Sequence, residues 1–208
     1  DIDLSVAGNW TPIDIYGGRY DGGGHRITGL TVNTNQAQGG LFGQIKGNAT
    51  VCNVDLVSPI ITVNNTAGGN TYAGALAGRL NNVLTGEEKM NLIGNLPDGL
   101  SEVVRQAIIN DLLAAMGSTT ARIVACKVED PVITVTGMNP IVGTITGQAG
   151  DKSAAGDSMS QIWDTYSTGG SISVNSGNPA ANSGGYAGGF VGLNNGYITR
   201  SFATTSPI

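Results

Sequence analysis

A five-residue block with glycine at both ends and small or apolar residues between occurs four times in this chain, and it constrains the fold more than any other feature. The blocks are Gly39-Gly40-Leu41-Phe42-Gly43, Gly74-Ala75-Leu76-Ala77-Gly78, the weaker Gly143-Thr144-Ile145-Thr146-Gly147, and Gly188-Gly189-Phe190-Val191-Gly192. Glycine at fixed places suits a turn with positive φ or a close approach of two backbones. We interpret the block as a turn that recurs once in each copy of an internal repeat.

A second apolar segment follows each block and aligns with its counterparts. These segments begin at Val51, Ile123, Ile162 and Ile198, and further matching runs begin at Ser58, Asp130 and Ser171. Each repeat then carries about three short β-rich runs separated by Gly, Asn or Pro turns. Because the blocks begin 35, 69 and 45 residues apart, a unit of roughly 30 to 35 residues is lengthened twice by insertions.

Such short runs cannot bury their apolar faces alone, whereas stacked turns of a repeat bury a continuous core. We therefore predict an all-β protein, a right-handed parallel β-helix (solenoid) with one inserted α-helical segment. The composition agrees, because 33 glycines, 40% hydrophobic residues and only 12% charged residues fit a chain with many tight turns and an apolar core.

The longer insertion changes the period of the apolar residues. Three- and four-residue spacing predicts one amphipathic helix over 100–116. Asp98 or Ser101 is placed to cap its start, and Gly117 is placed to cap its end. We expect the helix to pack one apolar face against the solenoid, the face formed by Leu100, Val104, Ile108 and Leu112.

Charge and cysteine content exclude several classes of protein. A formal net charge of -5 argues against nucleic acid as a partner, because phosphates require a basic patch. No apolar run is long enough for a membrane span, and no basic-then-apolar leader precedes Asp1, so we expect either a removed signal or an internal fragment. Cys52 and Cys126 are too few for a disulfide scaffold or a zinc site. We favour buried, reduced thiols over a diagonal disulfide between them.

The opening of the chain adds a second pattern. Trp10-Thr11-Pro12-Ile13 is followed by Tyr20-Asp21-Gly22-Gly23-Gly24-His25, and the clearest repeat runs over 189–204. Together with the glycine blocks, these segments resemble proteins that carry the GLUG motif. Such repeats occur in bacterial surface proteins, including adhesin-like proteins, and beside the catalytic domain of immunoglobulin A peptidases. The resemblance implies a β-helix that is secreted or displayed at the cell surface, at the outer membrane or outside the cell.

The resemblance covers the chain except for its two insertions. The predicted organisation is a single β-helix domain over 1–208, with a lead-in rung at 1–38, GLUG-like repeats at 39–81, 121–147 and 160–208, a helical insertion at 82–120 and an exposed polar loop at 148–159. Because Ala203-Thr204-Thr205-Ser206-Pro207-Ile208 stops partway through a repeat, we expect the chain to be a fragment of a longer protein.

The implied function is that of a non-catalytic, adhesin-like module that presents a surface for cell adhesion, with host glycans or extracellular matrix protein as partners. The alternatives are a carbohydrate-active β-helix enzyme and an accessory region of a secreted peptidase. The enzyme would need two carboxylates roughly 5 to 9 Å apart, and the candidates are Asp55, Glu129, Asp130 and Asp164. In the aligned repeats Asp55 falls beside Lys127 and then Tyr166, which is typical of a solvent-facing ladder. We therefore predict no catalytic residue, no cofactor and no metal ion.

Three further features suggest sites. His25 is the only histidine, which argues against a Ser-His-Asp arrangement, and we expect His25 to hydrogen-bond within its glycine-rich turn. Five aromatic residues could form a platform for a glycan, but we favour ordinary packing at the repeat ends, because aromatic residues are enriched in strands: Trp163, Tyr166, Tyr186, Tyr197 and Phe202. Asp157-Ser158-Met159 resembles the O-glycosylation acceptor of gut Bacteroidetes.

Overall fold

The computed structural model describes residues 1–15, 17–81, 90–91, 93–94, 96–115, 120–151, 160–176 and 184–204, and it describes no side chains for 111–115. The described residues form twenty-four β-strands and the α-helix Glu102–Ala115, and residues 90–91 and 93–94 are also helical. The strands lie in five sheets, and neighbouring strands pair in parallel. The protein is therefore an all-β parallel fold with an inserted helix.

The chain visits the five sheets in a fixed order, and we number the sheets in that order. Sheet 1 contains β1 (Ile2–Asp3), β4 (Arg26–Thr28), β9 (Asp55–Val57), β14 (Lys127–Glu129), β19 (Tyr166–Thr168) and β24 (Phe202–Thr204). Sheet 2 contains β5 (Thr31–Thr34), β10 (Ile60–Asn65), β15 (Val132–Gly137) and β20 (Ser171–Ser176). Sheet 3 contains β6 (Gln38–Gly39), β11 (Thr71–Ala73), β16 (Pro140–Gly143) and β21 (Tyr186–Gly188).

The remaining two sheets complete the circuit. Sheet 4 contains β2 (Ile13–Ile15), β7 (Phe42–Lys46), β12 (Ala77–Asn81), β17 (Thr146–Ala149) and β22 (Val191–Asn194). Sheet 5 contains β3 (Arg19–Asp21), β8 (Thr50–Cys52), β13 (Arg122–Val124), β18 (Gln161–Trp163) and β23 (Tyr197–Thr199). From β2 to β19 each strand pairs with the strand five places later. We call one circuit of the five sheets a pass.

The passes correct two predictions about the repeat. A pass contains five strands, so the expectation of three β-rich runs per repeat is wrong. The segment 1–38 is more than one lead-in rung, because β4, β5 and the first residue of β6 already belong to the next pass. The second segment of each repeat is not one run, because it divides at a corner into a strand of sheet 5 and a strand of sheet 1, as in β8 and β9.

The register confirms the alignment of the glycine blocks and of the second segments. Adjacent strands pair Phe42, Ala77, Thr146 and Val191 in one ladder. A second ladder joins Val51, Ile123, Ile162 and Ile198. The alignment slips by one residue at the start of the first block, where Gly39 pairs with Ala73.

The last glycine of the third and fourth blocks is required by space. A Cβ added to Gly147 would overlap the carbonyl oxygen of Ile141 and lie 2.8 Å from the backbone nitrogen of Ala73 and the backbone oxygen of Gly78. At Gly192 it would lie 2.6 Å from the backbone nitrogen of Val142. Sheet 4 therefore packs backbone to backbone against sheet 3, an approach that any side chain would prevent.

The backbone at one corner has the same left-handed conformation in four successive passes. At the corner between sheets 5 and 1, the φ angles of Asn53, Ala125, Asp164 and Arg200 are 53°, 51°, 50° and 48°. Asn and Asp tolerate this left-handed region, whereas Ala and Arg are unusual there. The corner conformation is therefore fixed by the stacking of the passes and not by the local sequence.

The core consists of aliphatic columns that run through the passes. One column in sheet 2 joins Val32, Ile61, Ile133 and Ile172, which are all buried. Another in sheet 1 joins Ile27, Leu56 and Val128. Because each side chain packs on its counterpart in the next pass, burial is shared along the whole stack.

The helical insertion lies where the sequence places it, between β12 and β13. Helix α1 (Glu102–Ala115) begins two residues later than predicted, because the Oγ of Ser101 accepts a hydrogen bond from the backbone nitrogen of Val104 at 3.4 Å and caps the helix. Val104 is 45% exposed, so the predicted packing is wrong at that position. Met116 and Gly117 lie outside the described residues, as does the side chain of Leu112. Within the described segments, no helix has the length and hydrophobicity needed to span a bilayer.

The predicted polar loop is shorter than expected. Gln148 and Ala149 belong to β17 and are buried, because they pair with Arg79 and Leu80 of the preceding pass. The nitrogen of the Gln148 amide donates a hydrogen bond to the carbonyl oxygen of Gly150 at 2.6 Å. The tripeptide Asp157-Ser158-Met159 lies outside the described residues.

Candidate functional site

A polar groove of about 320 Å³ crosses three passes on sheets 3 and 4. Its lining combines amides, one ion pair, aromatic rings and aliphatic groups, namely Asn70, Tyr72, Arg79, Ile141, Gln148, Asp151, Tyr186, Leu193 and Asn195. This volume is at the lower end of the range for small-molecule sites, roughly 300 to 1,000 Å³. The groove can therefore take a small ring.

Two ladders of side chains position the groove. In sheet 3, Tyr72 pairs with Ile141, which pairs with Tyr186. In sheet 4, Arg79 pairs with Gln148, which pairs with Leu193. Successive members of a ladder are about 4.8 Å apart because that is the strand spacing. The close packing of the two sheets at the glycines brings both ladders to one groove.

Arg79 is the electrostatic centre of the groove. One terminal nitrogen of its guanidinium donates a hydrogen bond to Oδ2 of Asp151 at 2.7 Å, and the guanidinium carbon lies 5.1 Å from the centre of the Tyr72 ring. The two side chains of the ion pair are 18% and 23% exposed. Partial burial strengthens both the ion pair and the cation–π contact relative to surface pairs. Within the described residues, Nε of Arg79 is buried with no hydrogen-bond partner.

The aromatic members have different environments. Tyr72 is buried, and its hydroxyl oxygen accepts a hydrogen bond from the side-chain nitrogen of Asn70 at 2.9 Å. Tyr186 is 52% exposed at the end of the same ladder. The first ring is therefore part of the wall, and the second is available to a ligand.

The four candidate carboxylates of the enzyme hypothesis lie elsewhere. Asp55 and Glu129 on sheet 1 both contact Arg26, at 3.8 and 3.2 Å, and Glu129 also pairs with Lys127. Asp164 accepts two hydrogen bonds from Arg200, at 2.6 and 2.7 Å. The predicted neighbours of Asp55 are confirmed, because the ladder continues to Lys127 and then Tyr166.

The ion pairs change the acidity of two of these carboxyl groups. The hydrogen bond from Lys127 is the main cause that lowers the pKa of Glu129, and the hydrogen bond from Arg200 is the main cause that lowers the pKa of Asp164. A general acid at neutral pH needs a raised pKa. These two groups are therefore poorly suited to protonate a leaving group. Asp130 lies in a corner turn with a φ of 47°.

The five candidate aromatic residues do not form one platform, so the platform alternative is wrong, and the favoured interpretation of ordinary packing holds for Tyr166 and Phe202. Tyr166 and Phe202 stack in sheet 1 with ring centres 5.3 Å apart and planes within 6°. Trp163 and Tyr197 belong to sheet 5, and Tyr186 alone of the five lines the groove. The five aromatic residues therefore lie on three different sheets, because they occupy different strands of the pass.

His25 contributes to its turn as expected, since its backbone nitrogen donates a hydrogen bond to the carbonyl oxygen of Gly22 at 3.0 Å. The ring itself is exposed beside Asp1. Cys52 and Cys126 are both buried and free, which confirms the favoured interpretation. Burial raises the pKa of the Cys126 thiol to about 12.

The sequence contained one signal for the groove that pattern reasoning missed. The residue directly after the last glycine of each block always falls in the same ladder of sheet 4. These residues are Gln44, Arg79, Gln148 and Leu193. Polar residues in three of the four copies mark a ladder that faces the groove and not the apolar core.

The fold and the groove define a class, namely parallel β-sheet repeat proteins with a small polar cleft across their passes. No protein-family model matches the chain, no curated protein matches it, and no solved structure matches it. The resemblance to GLUG-motif proteins therefore stays a prediction.

Proposed function

We propose that this chain is a non-catalytic, adhesin-like β-helix module that is secreted or displayed at the bacterial cell surface and that binds host glycans in cell adhesion. The observation that carries the proposal is the groove beside Arg79, where an ion pair, amides and an exposed tyrosine converge. A sugar presents hydroxyl groups around an apolar ring face, and this lining offers partners for both.

A right-handed solenoid is the finer description that we propose for the fold. The fixed order of the five sheets and the continuous aliphatic columns support a stack of closed passes. Right-handedness is supported by the strong general preference of crossover connections between parallel strands. Such a stack is a rigid support, and rigid elements hold binding groups more accurately than loops.

The hydroxyl-binding chemistry comes from groups that both donate and accept hydrogen bonds. Side-chain amides such as those of Asn70 and Asn195 have a carbonyl oxygen and an NH₂ group, and Asp151 adds a carboxylate beside the Arg79 guanidinium. Planar groups of this kind can each contact two neighbouring hydroxyls. The exposed ring of Tyr186 supplies the apolar surface.

We favour binding over the carbohydrate-active enzyme because the candidate carboxylates are held by cationic partners. Asp55, Glu129 and Asp164 each contact an arginine, and none of them lines the groove. No observation favours the accessory role beside a peptidase over the binding role.

A glycan array, extended with immobilised extracellular matrix proteins, tests the proposed function. We expect the wild-type chain to be retained by a subset of glycans and Tyr186→Ala to lose most of that signal. Tyr197→Ala is the matched control, because Tyr197 is 56% exposed and lies outside the groove. If no glycan retains the wild-type chain, or if both variants lose binding equally, the proposal is wrong.

A further inference from the structure

The groove has room for a single ring. About 320 Å³ is close to the smallest volume typical of small-molecule sites. A terminal sugar residue fits this limit, whereas a bound polysaccharide chain would need a cleft that continues along the stack.

The charge of the groove limits the ligand further. Among the described lining residues the charged ones are Arg79 and Asp151, and they neutralise each other through a bond of 2.7 Å. The guanidinium also lies over the Tyr72 ring, so its charge is already balanced on two sides. An anionic sugar would bring its carboxylate next to that of Asp151, and the described lining of the groove offers no second cation to attract it.

The apolar groups define how a ring would lie. Tyr186 is exposed and follows Ile141 in the sheet 3 ladder, and Leu193 lies in the facing ladder. A pyranose with several axial C–H groups on one face can stack that face on the tyrosine ring. Its hydroxyl edge then faces the ion pair and the amides.

We propose, on the basis of the proposed function, that the groove binds one neutral pyranose at the end of a glycan. The apolar face of the sugar stacks on Tyr186, and its hydroxyls hydrogen-bond to Asp151, Arg79 and the neighbouring amides. The Arg79–Asp151 pair acts as the selector against anionic sugars.

Titration of the ¹⁵N-labelled chain by NMR tests this assignment. The neutral probes are the methyl glycosides of galactose, mannose, glucose, fucose and N-acetylglucosamine, and the anionic probes are glucuronic acid and N-acetylneuraminic acid. We expect at least one neutral probe to bind with a dissociation constant of about 1 mM, given the usual ligand efficiency of such small molecules. Its chemical-shift changes should cluster on sheets 3 and 4, and its affinity should change less than twofold between 50 and 500 mM salt.

Two variants make the test specific. Tyr186→Ala should weaken the neutral sugar at least tenfold, and the control Tyr197→Ala should leave it within twofold. Asp151→Asn removes the carboxylate that repels anions, so anionic sugars should gain at least fivefold in affinity and become salt-dependent. A lack of binding by every neutral probe, shift changes outside the groove, or tighter binding of anionic probes by the wild type would each overturn the inference. In each of these cases retention on the glycan array would leave the proposed function intact, whereas an empty array contradicts the function itself.

Discussion

Replacement of Gly147 by alanine should strongly destabilise the protein, although Gly147 lies in a strand and has an ordinary φ. The added Cβ would meet three backbone atoms, from Ile141, Ala73 and Gly78. Backbone atoms cannot rotate away as a flexible side chain can. The methyl group therefore fits only if sheet 4 separates from sheet 3.

The expected magnitude follows from two opposing effects. Overpacking of a filled interior costs about 1 to 3 kcal/mol, and three backbone contacts place this site at the upper end. Alanine also lowers the conformational entropy of the unfolded chain, which stabilises the folded state by about 0.4 to 1 kcal/mol. The free energy of unfolding should fall by about 2 kcal/mol, which lowers the urea midpoint by about 1 M for a slope of about 2 kcal/mol per M.

Gly17→Ala is the matched control for this experiment. A Cβ added to Gly17 meets nothing within 4 Å, and its φ lies outside the left-handed region. The same chemical change should therefore leave the free energy of unfolding unchanged or raise it by about 0.5 kcal/mol.

Urea unfolding followed by tryptophan fluorescence and far-UV circular dichroism measures both variants. The account predicts a lower midpoint for Gly147→Ala and an equal or higher midpoint for Gly17→Ala. If Gly147→Ala unfolds within 0.2 M of the wild type (about 0.4 kcal/mol at the same slope), the close packing of sheets 3 and 4 is not what the glycine blocks provide.

Three further predictions concern the corners, the ion pairs and the thiols. Ala125→Gly should raise the free energy of unfolding by about 0.5 to 1 kcal/mol, because its φ of 51° is strained for alanine, whereas Ala73→Gly in a buried strand should lower it; equal urea midpoints would contradict this. The lowered pKa values of Glu129 and Asp164 stabilise the fold above about pH 4, the ordinary carboxyl range, and this stability is lost as the pH falls through the lower native pKa values. Urea midpoints at pH 7, 4 and 3 should therefore decline less in the double variant Glu129→Gln/Asp164→Asn than in the wild type, and parallel declines would refute the role of these pairs. The buried thiols of Cys52 and Cys126 should resist a thiol reagent at pH 8 in buffer and react fully in urea, and fast reaction of both in buffer would show that they are not buried.

The stacking register was predictable because it depends on which residues recur, and glycine blocks are easy to align. The ladder from Phe42 to Val191 follows directly from the four blocks. The number of sheets was not predictable. Strand β6 contains two residues, Gln38 and Gly39, and a run that short carries no alternation of apolar and polar residues.

The groove was not predictable because its members come from three passes. Tyr72 and Gln148 are distant in sequence, and the sequence pattern predicts an exposed loop for Gln148 and Asp151. Composition suggested a loop there, but pairing of β17 with β12 buries Gln148. Tertiary pairing thus overrides local polarity.

The helix and the aromatic residues show a similar limit. Periodicity located α1 to within two residues at its start, but it could not tell which surface the helix would cover, and Val104 remains exposed. The five aromatic residues looked alike in the alignment. Only the assignment of strands to sheets shows that Tyr186 lies on sheet 3, whereas Tyr166 and Phe202 lie on sheet 1.

The most direct test of the account is a distance across the stack that no local structure could produce. Thr31 and Ser171 are exposed, lie in one ladder of sheet 2 with Ile60 and Val132 between them, and are three strand spacings apart. Spin labels attached to Thr31→Cys and Ser171→Cys should show dipolar broadening for a separation of about 14 Å between the labelled positions. The buried native thiols stay unlabelled, and the two singly labelled variants give the reference spectra. A spectrum of the doubly labelled chain that equals the sum of the single ones would place the labels too far apart and contradict the stacked passes on which the groove depends.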